Sequence, residues 1–123
     1  MLRTGVDLID IERVERAIER HGERFFKRFF TPAEQTYCEG RLASLAARIA
    51  AKEAVAKALG TGIGDVRWVE IEILADERKR PILVLHGNAA QLAASLGLDE
   101  WDISLTHTQQ QAMAFVVALS RSN

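Results

Sequence analysis

Arg48-Ile49-Ala50-Ala51-Lys52-Glu53-Ala54-Val55-Ala56-Lys57, followed by Ala58-Leu59-Gly60-Thr61-Gly62, is the stretch on which the fold turns. Alanine is the strongest helix former, and the alanine-crowded run predicts the longest helix of the chain, from about Leu42 to Leu59. Gly60 is placed to end it in a left-handed conformation. The small side chains permit a neighbouring element to pack closely. Within the helix, the step from Glu53 to Lys57 puts a carboxylate and an ammonium on one face. Alone, such a pair is surface decoration worth a few tenths of a kcal/mol, about 0.3–0.5. The alanines that leave space beside it and the glycine-rich turn just beyond it weaken that reading.

Upstream, Leu2-Arg3-Thr4-Gly5-Val6-Asp7-Leu8-Ile9 reads as a short buried strand from which Asp7 projects as an anomaly. Asp10 is placed to cap a helix on which Ile11, Val14 and Ile18 recur, ended by His21-Gly22. Arg13, Arg16 and Arg20 share one sector of this helix, and Glu12, Glu15 and Glu19 share another. After the aromatic-basic run Phe25-Phe26-Lys27-Arg28-Phe29-Phe30, Thr31-Pro32-Ala33-Glu34 is a capping box with proline at the first helical position.

Downstream, Thr61-Gly62-Ile63-Gly64 is a loop, and Val69, Ile71 and Ile73 alternate with Glu70 and Glu72 as a half-buried strand. Pro81 opens a second strand through Leu85, and Asn88 caps a short helix ending at Gly97. Trp101–Leu105 and Ala112–Leu119 form a hairpin around Thr106–Gln111. Helices lead and strands close the order. The expected fold is α+β, one domain over residues 1–123, with N-terminal helices packed on a mainly antiparallel sheet.

The 123 residues are 48% hydrophobic and 27% charged, which excludes a disordered chain and supports a core without disulfides. A single cysteine, Cys38, excludes a disulfide framework and a cysteine-built zinc site, so any metal must use oxygen or histidine ligands. The formal net charge of -1 offers no bulk field for nucleic acid or anionic lipid. No signal-peptide pattern or membrane-spanning apolar run is present, and a cytoplasmic protein with neither nucleic acid nor membrane as partner is expected.

An ionised carboxylate in an apolar strand is costly unless paired or bound to a cation. Asp7 is therefore either a half-exposed strand-end aspartate or, with Glu53, a magnesium ligand acting together with a substrate phosphate. Gly60-Thr61-Gly62-Ile63-Gly64 can bring backbone amides close to a phosphate or merely end a helix, and it fits neither a Walker loop nor a dinucleotide fingerprint. His107, between Thr106 and Thr108, can donate to a phosphate, accept a proton, or be solvated. His21 and His86 read as structural, and the aromatic residues, Trp68 and Trp101 included, are assigned to packing. The Arg13, Arg16 and Arg20 face, extended by Arg24, is either a solvated surface or a landing site for an acidic partner.

Gly5-Val6-Asp7, Phe30-Thr31-Pro32-Ala33-Glu34, Arg48 through Lys57 with Gly60-Thr61-Gly62, and Ser104-Leu105-Thr106-His107-Thr108 together resemble the holo-acyl-carrier-protein synthases. These are the small single-domain group of 4'-phosphopantetheinyl transferases. The resemblance spans essentially the whole chain, and Lys52-Glu53-Ala54 to Lys57 is its most specific block. It implies transfer of phosphopantetheine from coenzyme A to a serine of acyl carrier protein, with magnesium required and adenosine 3',5'-bisphosphate released. It further implies Asp7 and Glu53 as metal ligands and Lys57 beside the pyrophosphate. Arg48 and Gly60-Thr61-Gly62 would hold the nucleotide end, Pro81, Thr106 and His107 would line the coenzyme site, and Arg13 with its basic neighbours would face the carrier protein. Homotrimers with sites between subunits are implied as well. The chain departs from the family at Lys79-Arg80-Pro81, where a glycine-lysine-proline turn is frequent, and at Thr106, where serine is frequent.

In-line attack by the serine needs charge stabilisation on the departing bisphosphate, which Lys57 and the metal would supply, and a base, for which Glu53, a metal-bound water and His107 are the candidates and Glu53, directly or through water, is the choice. The alternative from another class is a docking module that binds carrier domains without catalysing transfer.

Overall fold

The computed structural model describes residues 1–121. Its centre is α4 (Leu42–Leu59), which is apolar nearly all round and accordingly buried over most of its length. Gly60 ends it at φ 85, in the left-handed region as expected. Strands β1 (Leu2–Asp10), β4 (Glu100–His107) and β5 (Gln111–Leu119) form one antiparallel sheet with β5 in the middle, and β4 and β5 make the expected hairpin. A second sheet is the hairpin of β2 (Ile71–Ala75) and β3 (Pro81–Leu85). The β-structure is thus two small antiparallel sheets rather than one.

The first sheet lies on α4. A Cβ at Gly5 would overlap the Ala54 carbonyl, so the glycine–alanine pair is what lets β1 approach the helix backbone. The interior face of β5 presents Ala112, Ala114, Val116 and Ala118, all buried. Together with Ala50, Ala51, Val55, Ile71 and Ile73 most of these side chains form the main core.

A second cluster gathers Val14 of α1 (Ile11–His21), Phe25 of α2 (Glu23–Phe29), Phe30, Cys38 of α3 (Pro32–Cys38) and Leu45. The Thr31 capping box forms as read, with Glu34 reciprocating to the Thr31 amide. The aromatic-basic run is itself the helix α2, entered through Gly22 at φ 57.

Three expectations are corrected. Strand β1 is not buried: Leu2, Val6 and Leu8 point outward, 64%, 49% and 55% exposed, while Gly5 and Asp7 turn toward α4. Alternation in an apolar strand does not itself say which face is covered. The half-buried strand expected from Val69 begins only at Ile71, because Trp68–Glu70 is a 3-10 turn, and Glu72 is buried rather than solvated. Asn88 does not cap α5 (Gly87–Leu96): His86 holds the N-cap position, and the Glu70 carboxylate accepts the Asn88 amide at 2.9 Å. A carboxylate from a separate element thus satisfies a donor that the local side chain leaves open.

Candidate active site

Glu53 and Lys57 share the α4 face that meets β1. Lys57 Nζ donates to Asp7 Oδ1 at 3.1 Å and to the Val6 carbonyl at 2.8 Å, so one ammonium of α4 is tied to β1 at two points. Two of the three ammonium donors are used, which leaves one for a ligand. Asp7, Glu53 and Arg13 line one cavity of about 460 Å3, walled by Phe25, Phe29 and Trp68. The Phe29 and Trp68 rings stand 4.6 Å apart. Trp68 and these phenylalanines, read in the sequence as packing, are therefore also the apolar wall beside the carboxylates.

Burial holds the Glu53 carboxyl above its ordinary value, and the neighbouring Asp7 carboxylate raises it further against the opposing pull of Lys57. Two hard-oxygen donors that repel one another across a cavity are what a magnesium ion relieves, with water and a phosphate completing its shell. Among the described residues no group of three or more His, Cys, Asp or Glu side chains forms a closed metal site. The pair fits an ion shared with a phosphate and not an all-protein cage.

Arg48 and Lys52 lie four residues apart on a different face of α4, rotated away from Glu53 and Lys57. Arg48 is buried; its Nε donates to the Ile73 carbonyl at 3.1 Å, and its guanidinium stacks over the Tyr37 ring at 4.6 Å. A pocket of about 160 Å3 brings Arg48 together with Pro81, His107, Tyr37, Ser44 and Lys79. Thr106 is not part of it, since successive strand residues face opposite ways and Thr106 lies exposed beside Met113 on the outer sheet face. The amides of Gly60, Thr61 and Gly62 all donate to the Ala56 carbonyl, at 3.0, 3.2 and 3.3 Å, and close the helix end. Within one chain six of the sequence-selected residues thus fall into two clusters, Asp7, Glu53 and Lys57 beside β1, and Arg48, Pro81 and His107 beside the second hairpin, while Thr106 and Gly60-Thr61-Gly62 lie outside both.

Arg13, Arg16 and Arg20 form a shallow basic groove with His21 on α1, and Arg24 continues it beside Arg28 on α2. Arg16 pairs with Glu12 at 3.1 Å; no ion pair is formed by Arg13, Arg20 or Arg24 among the described residues.

Sequence reasoning missed a buried ionic knot. Lys52 is wholly buried and donates to Glu34 at 2.8 Å and to the Trp68 and Ile71 carbonyls. Glu34 also accepts the Ile73 amide at 2.8 Å. Desolvation lowers the Lys52 pKa although Glu34 opposes it. The available signal was the four-residue repeat of Arg48 and Lys52 in an otherwise alanine-lined helix. His86, read as structural, does have a partner: Glu72, at 3.0 Å.

Residues 3–116 match the family model described as the 4'-phosphopantetheinyl transferase superfamily. The holo-(acyl-carrier-protein) synthase of Moorella thermoacetica is 51% identical over 100% of this chain and 96% of its own length. That of Herpetosiphon aurantiacus is 49% identical over 97% of this chain and 99% of its own. The crystal structure of the Helicobacter pylori holo-(acyl-carrier-protein) synthase in complex with coenzyme A superposes with a TM-score of 0.87 at 29% identity, covering 94% of this chain and 99% of that one. The α+β architecture is therefore shared with solved synthases, and the long Lys52–Lys57 helix laid against an Asp7-bearing strand sits in a fold already seen with that coenzyme. The chain belongs to the holo-(acyl-carrier-protein) synthase family of the 4'-phosphopantetheinyl transferase superfamily.

Proposed function

We propose that this transferase moves 4'-phosphopantetheine from coenzyme A to a serine of apo acyl carrier protein and releases adenosine 3',5'-bisphosphate, in a magnesium-dependent reaction. The observation that carries the reading is the meeting of Asp7 and Glu53 at one cavity, with the Lys57 ammonium bonded to Asp7. Asp7 and Glu53 would hold magnesium, which supplies positive charge against the coenzyme diphosphate.

Glu53 takes the serine proton, directly or through a water, as the serine oxygen bonds to the phosphorus that carries pantetheine. The bond from that phosphorus to the bisphosphate breaks, and the remaining Lys57 donor offsets the charge gathering on the leaving oxygen. Arg48, Pro81 and His107 hold the nucleotide end, with Gly60-Thr61-Gly62 at the helix terminus. The Arg13, Arg16, Arg20 and Arg24 surface receives the acidic carrier protein, since clustered cations, of which only Arg16 has an ion-pair partner among the described residues, steer an anionic partner.

The working form is a homotrimer. Leu2, Val6, Leu8, Met113, Phe115 and Leu119 are exposed on the outer face of the three-stranded sheet, an apolar patch of the kind that marks an interface. Sites between subunits would unite the Asp7 cluster of one chain with the Arg48 cluster of its neighbour, and would bring the outward-facing Thr106 to the coenzyme. Among the described residues no helix is long and apolar enough to cross a membrane. A buried free Cys38 suits a reducing cytoplasm.

Purified protein incubated with apo carrier protein, coenzyme A and magnesium tests the reading by intact mass. One phosphopantetheine should be added per carrier, and Asp7→Asn or Glu53→Gln should lower the rate about a hundredfold or more with the fold retained. Complex formation without mass gain would establish the docking-module alternative instead.

A further inference from the structure

The turn joining β2 to β3 contains a residue in a conformation its side chain disfavours. Asp76 and Arg80 close the turn: the Asp76 amide donates to the Arg80 carbonyl at 2.9 Å, and the Lys79 amide donates to the Asp76 carbonyl at 2.9 Å. The Asp76 carboxylate also accepts the Arg78 and Arg80 amides. This three-residue loop places its last residue in the left-handed region, a position usually filled by glycine. Lys79 occupies it at φ 66, one of two non-glycine residues with positive φ among those described. Backbone strain of this type concentrates where a side chain has a task.

Lys79 lines the pocket that holds Arg48 and His107, and no carboxylate lines that pocket. Arg48 is 4% exposed and has no ion-pair partner among the described residues. Its Nε and Nη1 are bonded to carbonyls, whereas Nη2 is not. Among the described residues no buried side-chain nitrogen or oxygen lacks a partner, so Nη2 is not fully enclosed, and Arg48 itself lines the pocket. Two basic side-chain types and an imidazole thus line about 160 Å3 with no carboxylate among them. A buried cation in that position calls for an anionic ligand, and the forked guanidinium suits a phosphate.

Coenzyme A carries a diphosphate and a 3'-phosphomonoester. With the diphosphate assigned to the Asp7, Glu53 and Lys57 cluster, we propose that Lys79 is an added contact of this chain for the 3'-phosphomonoester, a specificity determinant maintained at the expense of backbone strain. The proposal rests on the transferase reading above.

Calorimetric titration of the intact assembly with coenzyme A and with 3'-dephospho-coenzyme A tests it, using Lys79→Gly and Lys79→Arg. Lys79→Gly should weaken coenzyme A binding about two- to fivefold, as expected for a partly exposed ion pair, and leave the dephospho form unchanged. The same variant should raise the melting temperature, because glycine accepts the left-handed conformation without strain. Lys79→Arg should keep the preference for coenzyme A. A Gly variant that binds both coenzymes as wild type does, or that loses both equally, overturns the proposal while the transferase reading stands. Binding of inorganic phosphate alone with no preference between the coenzymes would assign the pocket to free phosphate, and also overturns it. A wild-type protein that binds neither coenzyme removes the transferase reading and, with it, the ligand.

Discussion

Lys52 and Glu34 meet at 2.8 Å with neither side chain reaching solvent, so the residue immediately before Glu53 is locked into the interior. The ammonium also holds the Trp68 carbonyl, and Trp68 walls the cavity that contains Glu53. One buried pair therefore sets the rotation of α4 and one side of the candidate active site. Removing a single partner leaves the other charge buried and uncompensated. Lys52→Met should cost about 3–5 kcal/mol of stability by denaturant unfolding, and the double variant with Glu34→Gln should recover part of that loss.

Gly5 has a comparable structural role on the opposite side of α4. Adding a Cβ there forces β1 away from Ala54. Gly5→Ala should destabilise the protein by about 3 kcal/mol, and since Asp7 rides on the same strand, transfer activity measured below the melting transition should fall as well. Gly62→Ala, with open space around the position but φ 74, should cost only about 1 kcal/mol.

Acid stability should depend on Glu72. Burial by itself would raise its carboxyl, but donation from Thr31 and His86, with the charges of His86 and Lys52, brings it below its ordinary value of 4.5. A carboxyl depressed in the folded state contributes stability that is present above 4.5 and is lost as pH falls through the lower folded value. Melting temperatures measured downward from neutral pH should drop below that point, and Glu72→Gln should flatten this segment of the curve. An unchanged acid limb in the variant would exclude the assignment.

The outer sheet face should govern assembly. Phe115 is 45% exposed and pairs in register with Val6 at the middle of the apolar patch. Phe115→Glu should convert the proposed trimer to monomer in sedimentation experiments, leave far-ultraviolet circular dichroism unchanged, and abolish transfer if sites are shared between subunits.

Local signals were legible where the chain itself satisfies them. Alanine density and Gly60 marked α4, Thr31 and Glu34 marked their capping box, and the last two strands announced their hairpin, since each depends on residues close in sequence. The α5 start was misread because its capping carboxylate comes from Glu70, eighteen positions before Asn88.

By itself, then, the order of residues determined the long helix, the α+β class, the family motif and the placing of Glu53 and Lys57 on one helical face. Only the tertiary structure decided that β1 shows its apolar side chains to the outside, that Asp7 turns inward to Lys57, and that Arg48 and Lys52 form a separate cationic face. The reason is that helix periodicity is set by neighbours a few residues apart. The covered side of a strand, and the partner of a buried charge, are set by whatever distant segment packs there.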